Sequence, residues 1–194
     1  MLQRFNKVVI GGFLIVMVLS FVGCGGENQS TNSKTQQIET ETPENQFQRT
    51  LKSIPDESTM KDFEYNVVSD ASNSEQKIVD VSYTRESAAD LTCIAIATGI
   101  KSDCTNVVKK IYQTGYPVSK VHIVVNMVLP SDKYGNTYVS KTFECTLSKA
   151  TADKIKWDNF QSSNFADVAD ETWWNPGFVA AVKDEIVANH RRSK

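Results

Sequence analysis

Two histidines, four cysteines and a late group of carboxylates are the residues through which this 194-residue chain could do chemistry. His122 lies on the polar side of an alternating run, and His190 sits near the C-terminal end of the sequence. A nucleophilic triad needs an imidazole between a nucleophile and an orienting acid, and only His122 has a setting for that role. Its simpler reading is a polar side chain on an exposed strand face. His-Glu-x-x-His, Gly-x-Ser-x-Gly and a phosphate-cradling glycine loop are all absent. Asp167, Asp170 and Glu171 fall at i, i+3 and i+4, which on a helix is one face. Such a face can serve a hydrolase or a hard cation, and more often is simply solvated. Asp132-Lys133-Tyr134-Gly135-Asn136 has the residues of a turn and lacks the alternating oxygen ligands of an EF-hand. No Cys-x-x-Cys occurs, so neither a dithiol motif nor a zinc knuckle is indicated.

Aromatic residues gather late. Trp157, Phe160, Phe165, Trp173, Trp174 and Phe178 lie within 22 residues. Rings of this kind either anchor short segments to a core or form a platform for a sugar or peptide. Trp173 and Trp174 are adjacent and must point in different directions, so at least one of them is expected at the surface. They are the expected partner-contact residues.

The elements that must position these groups follow from periodicity. Phe63, Tyr65 and Val67, then Val79, Val81 and Tyr83, alternate with polar residues and predict a hairpin. Residues 86–114 are helical in composition. Leu91, Ile94, Ala95 and Thr98 share one face, while Ile100, Cys104, Val107, Val108 and Ile111 share another, which predicts a break or kink between Gly99 and Asp103. Val121, Ile123, Val125, Met127 and Leu129 form the strongest strand pattern. After a turn in which Gly135 suits positive φ, Val139, Phe143, Cys145 and Leu147 complete a second hairpin. Short helical pieces are expected over 149–155 and 165–172. A last helix opens at Asn175-Pro176 with an apolar stripe of Val179, Val182 and Ile186. One apolar face per strand suits an antiparallel sheet covered on one side. The expected architecture is a two-layer α+β domain: a four-stranded antiparallel sheet in β-β-α-β-β order, one face under helix, followed by short C-terminal helices.

Composition bounds the rest. The chain is 40% hydrophobic and 23% charged, with a net charge of −2. That is ordinary for a globular protein and provides no basic face for a nucleic-acid partner.

The first residues differ from all others. Arg4 and Lys7 precede an uncharged run from Val8 to Gly26 that is rich in Val, Ile, Leu, Phe and Gly. A basic start and an apolar run describe an uncleaved membrane helix, a cleaved export signal or a lipoprotein signal. Leu19-Ser20-Phe21-Val22-Gly23-Cys24 decides among them, because it resembles a bacterial lipobox, with Phe21 standing where Leu is usual. The resemblance implies a signal over 1–23, cleavage before Cys24 and a covalent diacylglycerol on the Cys24 sulfur, with no other cofactor. Loss of Arg4 and Lys7 leaves 19 basic against 23 acidic residues, a net charge of −4. Such a body is expected to stand off an anionic membrane at the extracytoplasmic face. With Cys24 acylated, Cys93, Cys104 and Cys145 remain. Cys93 and Cys104 on one helix are about 16 Å apart along its axis, too far to bridge. Cys104 and Cys145 both occupy apolar faces, so a Cys104–Cys145 disulfide is one reading. Cys93–Cys145 is a second, and buried free thiols a third.

Residues 25–42 hold one large apolar residue, Ile38, and read as a flexible stalk. As a coil it spans roughly 23 Å. The tether is assigned to 24–60 and the globular body to 61–194. Within the tether, residues 43–54 predict a short helix, with Phe47, Leu51 and Ile54 on one side, that docks on the body. Lys154-Ile155-Lys156-Trp157-Asp158-Asn159-Phe160, together with the Asp132–Asn136 turn, is similar to small uncharacterised lipoproteins of Gram-positive bacteria, and brings no activity with it. The expected function is that of a membrane-anchored surface lipoprotein acting as a non-catalytic binding module for a protein or envelope component. The alternatives are an accessory subunit of a membrane complex, or an envelope hydrolase working through Asp167, Asp170 and Glu171.

Overall fold

A computed structural model describes residues 42–55, 60–86, 91–130 and 134–192, all within one compact unit, Thr40–Lys194. The expected signal, Cys24 and the stalk as far as residue 41 lie outside the described residues, as does Asp132. Among the described residues no helix is long and apolar enough to cross a membrane.

Helix α1 (Pro43–Ser53) begins where Thr42 accepts a hydrogen bond from the Asn45 N–H at 3.2 Å and Pro43 fills the first position. Phe47 and Leu51 are fully buried, and Phe47 stacks on Tyr116 with ring centroids 4.2 Å apart. The helix therefore docks, as expected, and the globular body starts at this helix rather than at Lys61. Strands β1 (Met60–Asp70) and β2 (Asn73–Arg85) form the first hairpin around Ala71-Ser72. Asp70 closes that turn by accepting from the Ser72 N–H at 2.8 Å and the Ser72 hydroxyl at 2.6 Å.

Helix α2 (Cys93–Gln113) is one unbroken helix capped by Thr92, so the expected break at Gly99–Asp103 is overturned. Ile96, Ile100, Cys104, Val107, Val108 and Ile111 make a single buried stripe. Leu91 and Ile94, which suggested a second buried side, are exposed. Gly99 is no helix breaker: the guanidinium of Arg85, from the end of β2, lies against it. The helix ends at Thr114 and Gly115 (φ +70°), the left-handed position that glycine fills at least cost.

Strands β3 (Val118–Pro130) and β4 (Thr137–Ser148) form the second hairpin. Its turn holds Gly135 at φ +89°, as its sequence suggested. Helix α3 (Lys149–Ala152), a 3-10 turn (Ser162–Asn164) and helix α4 (Phe165–Val168) lead to strand β5 (Glu171–Trp174) and helix α5 (Pro176–Arg192). Asn175 caps α5, its side-chain oxygen accepting from the Gly177 N–H at 2.9 Å and the Phe178 N–H at 3.3 Å.

The α+β class holds, and the sheet departs from the expectation in two ways. It has five strands in the order β1-β2-β3-β4-β5, and β2 runs parallel to β3. The reason is the connection. A 21-residue helix rises about 31 Å at 1.5 Å per residue, enough to return the chain to the end where β2 began. One-sided apolar alternation reports a buried face, not a strand direction. The helix expected over 165–172 ends at Val168, and Glu171–Trp174 instead forms a fifth strand that pairs antiparallel to β4 with Phe143 opposite Trp174. Val79, Val81, Val121, Ile123, Val125, Phe143, Cys145 and Leu147 point into the core with α1 and α2. Each large side chain so buried stabilises the fold by about 1.5–3 kcal/mol.

Candidate functional site

The opposite face of the sheet carries the outward residues of the same strands. Asp80 on β2, His122 on β3 and Glu144 on β4 share it because they alternate with Val79 and Val81, Val121 and Ile123, and Phe143 and Cys145; Asp80 stands directly opposite His122, and Glu144 lies diagonally across from it. His122 Nδ1 lies 3.3 Å from Asp80 Oδ1, and His122 Nε2 lies 2.9 Å from Glu144 Oε1. An ionised carboxylate only accepts, so both bonds form together only when the ring carries both protons. Lys141 Nζ donates to the other Glu144 oxygen at 2.5 Å and stands 4.5 Å from the centre of the Trp173 ring, a cation–π contact. The Lys141 ammonium first, and His122 second, hold the Glu144 carboxyl below the usual carboxylate range.

These side chains border a hollow of about 300 Å3 walled by His122, Glu144, Thr146, Glu171 and Trp173. Trp173 is 39% exposed there. The hollow offers one aromatic face, hydrogen-bond acceptors on Glu144 and Glu171, and hydroxyl groups on Thr146 and Thr172. That is the equipment of a recognition surface. Both nitrogens of His122 face carboxylates. Among the described residues no three His, Cys, Asp or Glu side chains converge on a metal-sized site.

The other expected residues fall elsewhere. Trp174 points inward, 4.3 Å from Phe143 and stacked on Phe178 at 5.8 Å, so it anchors β5 and α5. Asp167, Asp170 and Glu171 share no helical face, because α4 ends at Val168 and Glu171 begins β5. Asp170 instead accepts from the Ser148 N–H and the Thr151 hydroxyl, both at 2.5 Å. Cys104 and Cys145 are free thiols in the core, with the Tyr83 hydroxyl 3.9 Å from Cys104 Sγ. Burial pushes the Cys104 thiol up. Cys93 is a third free thiol, half-buried.

Asp80, Lys141 and Glu144 were not singled out in the sequence. Asp80 and Glu144 occupy polar positions of alternating strands, whereas Lys141 falls in phase with Val139 and Phe143 and sits at a register irregularity of β4, so only strand order and register bring the three to His122. A mixed-sheet α+β domain with one face under helices and one face open defines the class of this molecule. Comparison with protein-family models, with curated proteins and with solved structures finds no match for the chain.

Proposed function

We propose that this protein is a membrane-anchored surface lipoprotein, tethered through a diacylglycerol on Cys24, whose sheet is a non-catalytic binding module for a protein or envelope component outside the cell membrane. The resemblance of Leu19–Cys24 to a lipobox supports the anchor. The observation that carries the binding role is the half-exposed Trp173 ring beside the Glu144 and Glu171 carboxylates in an open hollow. Aromatic residues flanked by polar groups are typical binding anchors. The crossed pairing of His122 favours recognition over hydrolysis, and the dispersal of Asp167, Asp170 and Glu171 removes the acidic face on which a hydrolase reading rested.

The experiment has two arms. Mass spectrometry of the native N-terminus reads the anchor: an acylated Cys24 is expected, and an unmodified or uncleaved terminus defeats it. A photo-crosslinking amino acid at position 173 reads the surface in membranes. A discrete adduct that disappears with Glu144→Lys is expected, and an adduct pattern indifferent to that change defeats the binding role.

A further inference from the structure

A second cavity, independent of the open face, lies in the lobe between β4 and β5. It measures about 520 Å3, within the range of small-molecule sites. Its floor is apolar: Ile155, Phe160 and Val168, each half-buried. Trp157 meets Phe160 edge-on with centroids 5.8 Å apart, which fixes the orientation of that wall. The rim carries Lys154, Lys156 and Asn159, all exposed. Among the described residues no carboxylate lines the cavity. The nearby acids Asp153 and Asp170 are engaged, Asp153 by Lys149 and Asp170 by Ser148 and Thr151. Lys154 is close enough to Asp170 to help hold its carboxyl below the usual range, yet among the described residues neither Lys154 nor Lys156 lies within ion-pair distance of a carboxylate.

We propose that this cavity binds a small amphiphilic anion, its carboxylate, sulfonate or phosphate head held by Lys154 and Lys156 and its apolar body resting on Ile155, Phe160 and Val168. Two cationic donors over a hydrocarbon floor match such a molecule in both charge and polarity. A neutral apolar ligand would leave the lysines unused, and a cation would be repelled by them. The lobe is tied to the end of β4 by Asp170, which accepts from the Ser148 N–H and the Thr151 hydroxyl, and Phe165 is a buried core residue of the same lobe.

The test uses the compact unit from Thr40 onward, which contains every buried residue among those described, and 8-anilinonaphthalene-1-sulfonate as probe. Saturable one-site fluorescence, displaced by decanoate and weakened by salt, is expected. Lys154→Glu with Lys156→Glu should weaken probe binding at least 10-fold at an unchanged melting temperature. Lys154→Arg with Lys156→Arg should keep it within about 3-fold. Equal binding by the charge-reversed variant, or no saturable binding at all, overturns the proposal. Sedimentation with phosphatidylglycerol vesicles, against phosphatidylcholine controls, distinguishes the natural source. Lysine-dependent sedimentation identifies a lipid headgroup, and soluble binding without it identifies a free anion.

Discussion

The guanidinium carbon of Arg85 lies 2.8 Å from where a Cβ on Gly99 would stand, so any side chain at residue 99 would have to push the Arg85 guanidinium aside where helix α2 passes the end of β2. One turn further along the helix, Asp103 forms an ion pair with the same guanidinium, with the two side chains 10% and 13% exposed. A charge this deep is tolerable because it is paired. Gly99→Ala should force the pair apart and cost about 2–3 kcal/mol, lowering the melting temperature by roughly 5–10 °C. In an Arg85→Met, Asp103→Leu background the same alanine should be harmless. Thermal melts of the four proteins check this, and an equal penalty in both backgrounds would show that the guanidinium is not the obstacle.

Adjacent tryptophans should behave oppositely. Trp174→Ala removes the ring packed between Phe143 and Phe178 and should cost about 2–3 kcal/mol. Trp173→Ala removes a ring that is 39% exposed and should cost less than about 1 kcal/mol. Denaturant unfolding measures both; similar losses would mean that Trp173 is a packing residue and not a contact.

Asp70 sets an acid limit. Hydrogen bonds from Ser119, foremost, and from Ser72 hold its carboxyl at about 2 in the folded protein against 3.8 ordinarily. Its contribution to stability is thus complete above the unfolded value and disappears as pH falls through about 2. Asp70→Asn should be less stable than the native sequence at pH 6, and the two melting temperatures should converge by pH 2. A gap constant with pH would refute the assignment.

The three thiols should differ in reach. A water-soluble disulfide reagent should modify half-buried Cys93 first, and Cys104 and Cys145 only as the protein unfolds. Protein taken from its native compartment and denatured without reductant reads the Cys104–Cys145 bridge. One thiol in the chain from Thr40 onward means that it forms, and three that it does not.

Much of this architecture was legible in the sequence. Strands β1 to β4, the docked α1 and the cap of α5 followed from period-2 and period-3.6 patterns and from Thr42, Pro43 and Asn175. The misreadings have physical causes. Gly99 looks like a breaker because a glycine kept for a neighbouring side chain is indistinguishable, in one dimension, from one kept for backbone freedom. Glu171–Trp174 is too short for alternation to register. The cluster around His122 needs cross-strand register, which no local pattern encodes: Asp80, His122 and Glu144 are 42 and 22 residues apart in the chain.

The parallel join between β2 and β3 also bears on how the molecule assembles. Each hairpin can zip locally across its own turn, but the two halves must meet through a 21-residue helix, and that closure is the costly entropic step. Truncations at Val81 and Ile123, which face each other across that seam, should therefore slow refolding more than truncations at Val67 on β1 or Leu147 on β4, which lie away from it. A chain of this design commits to its native state late, when its two local halves lock side by side.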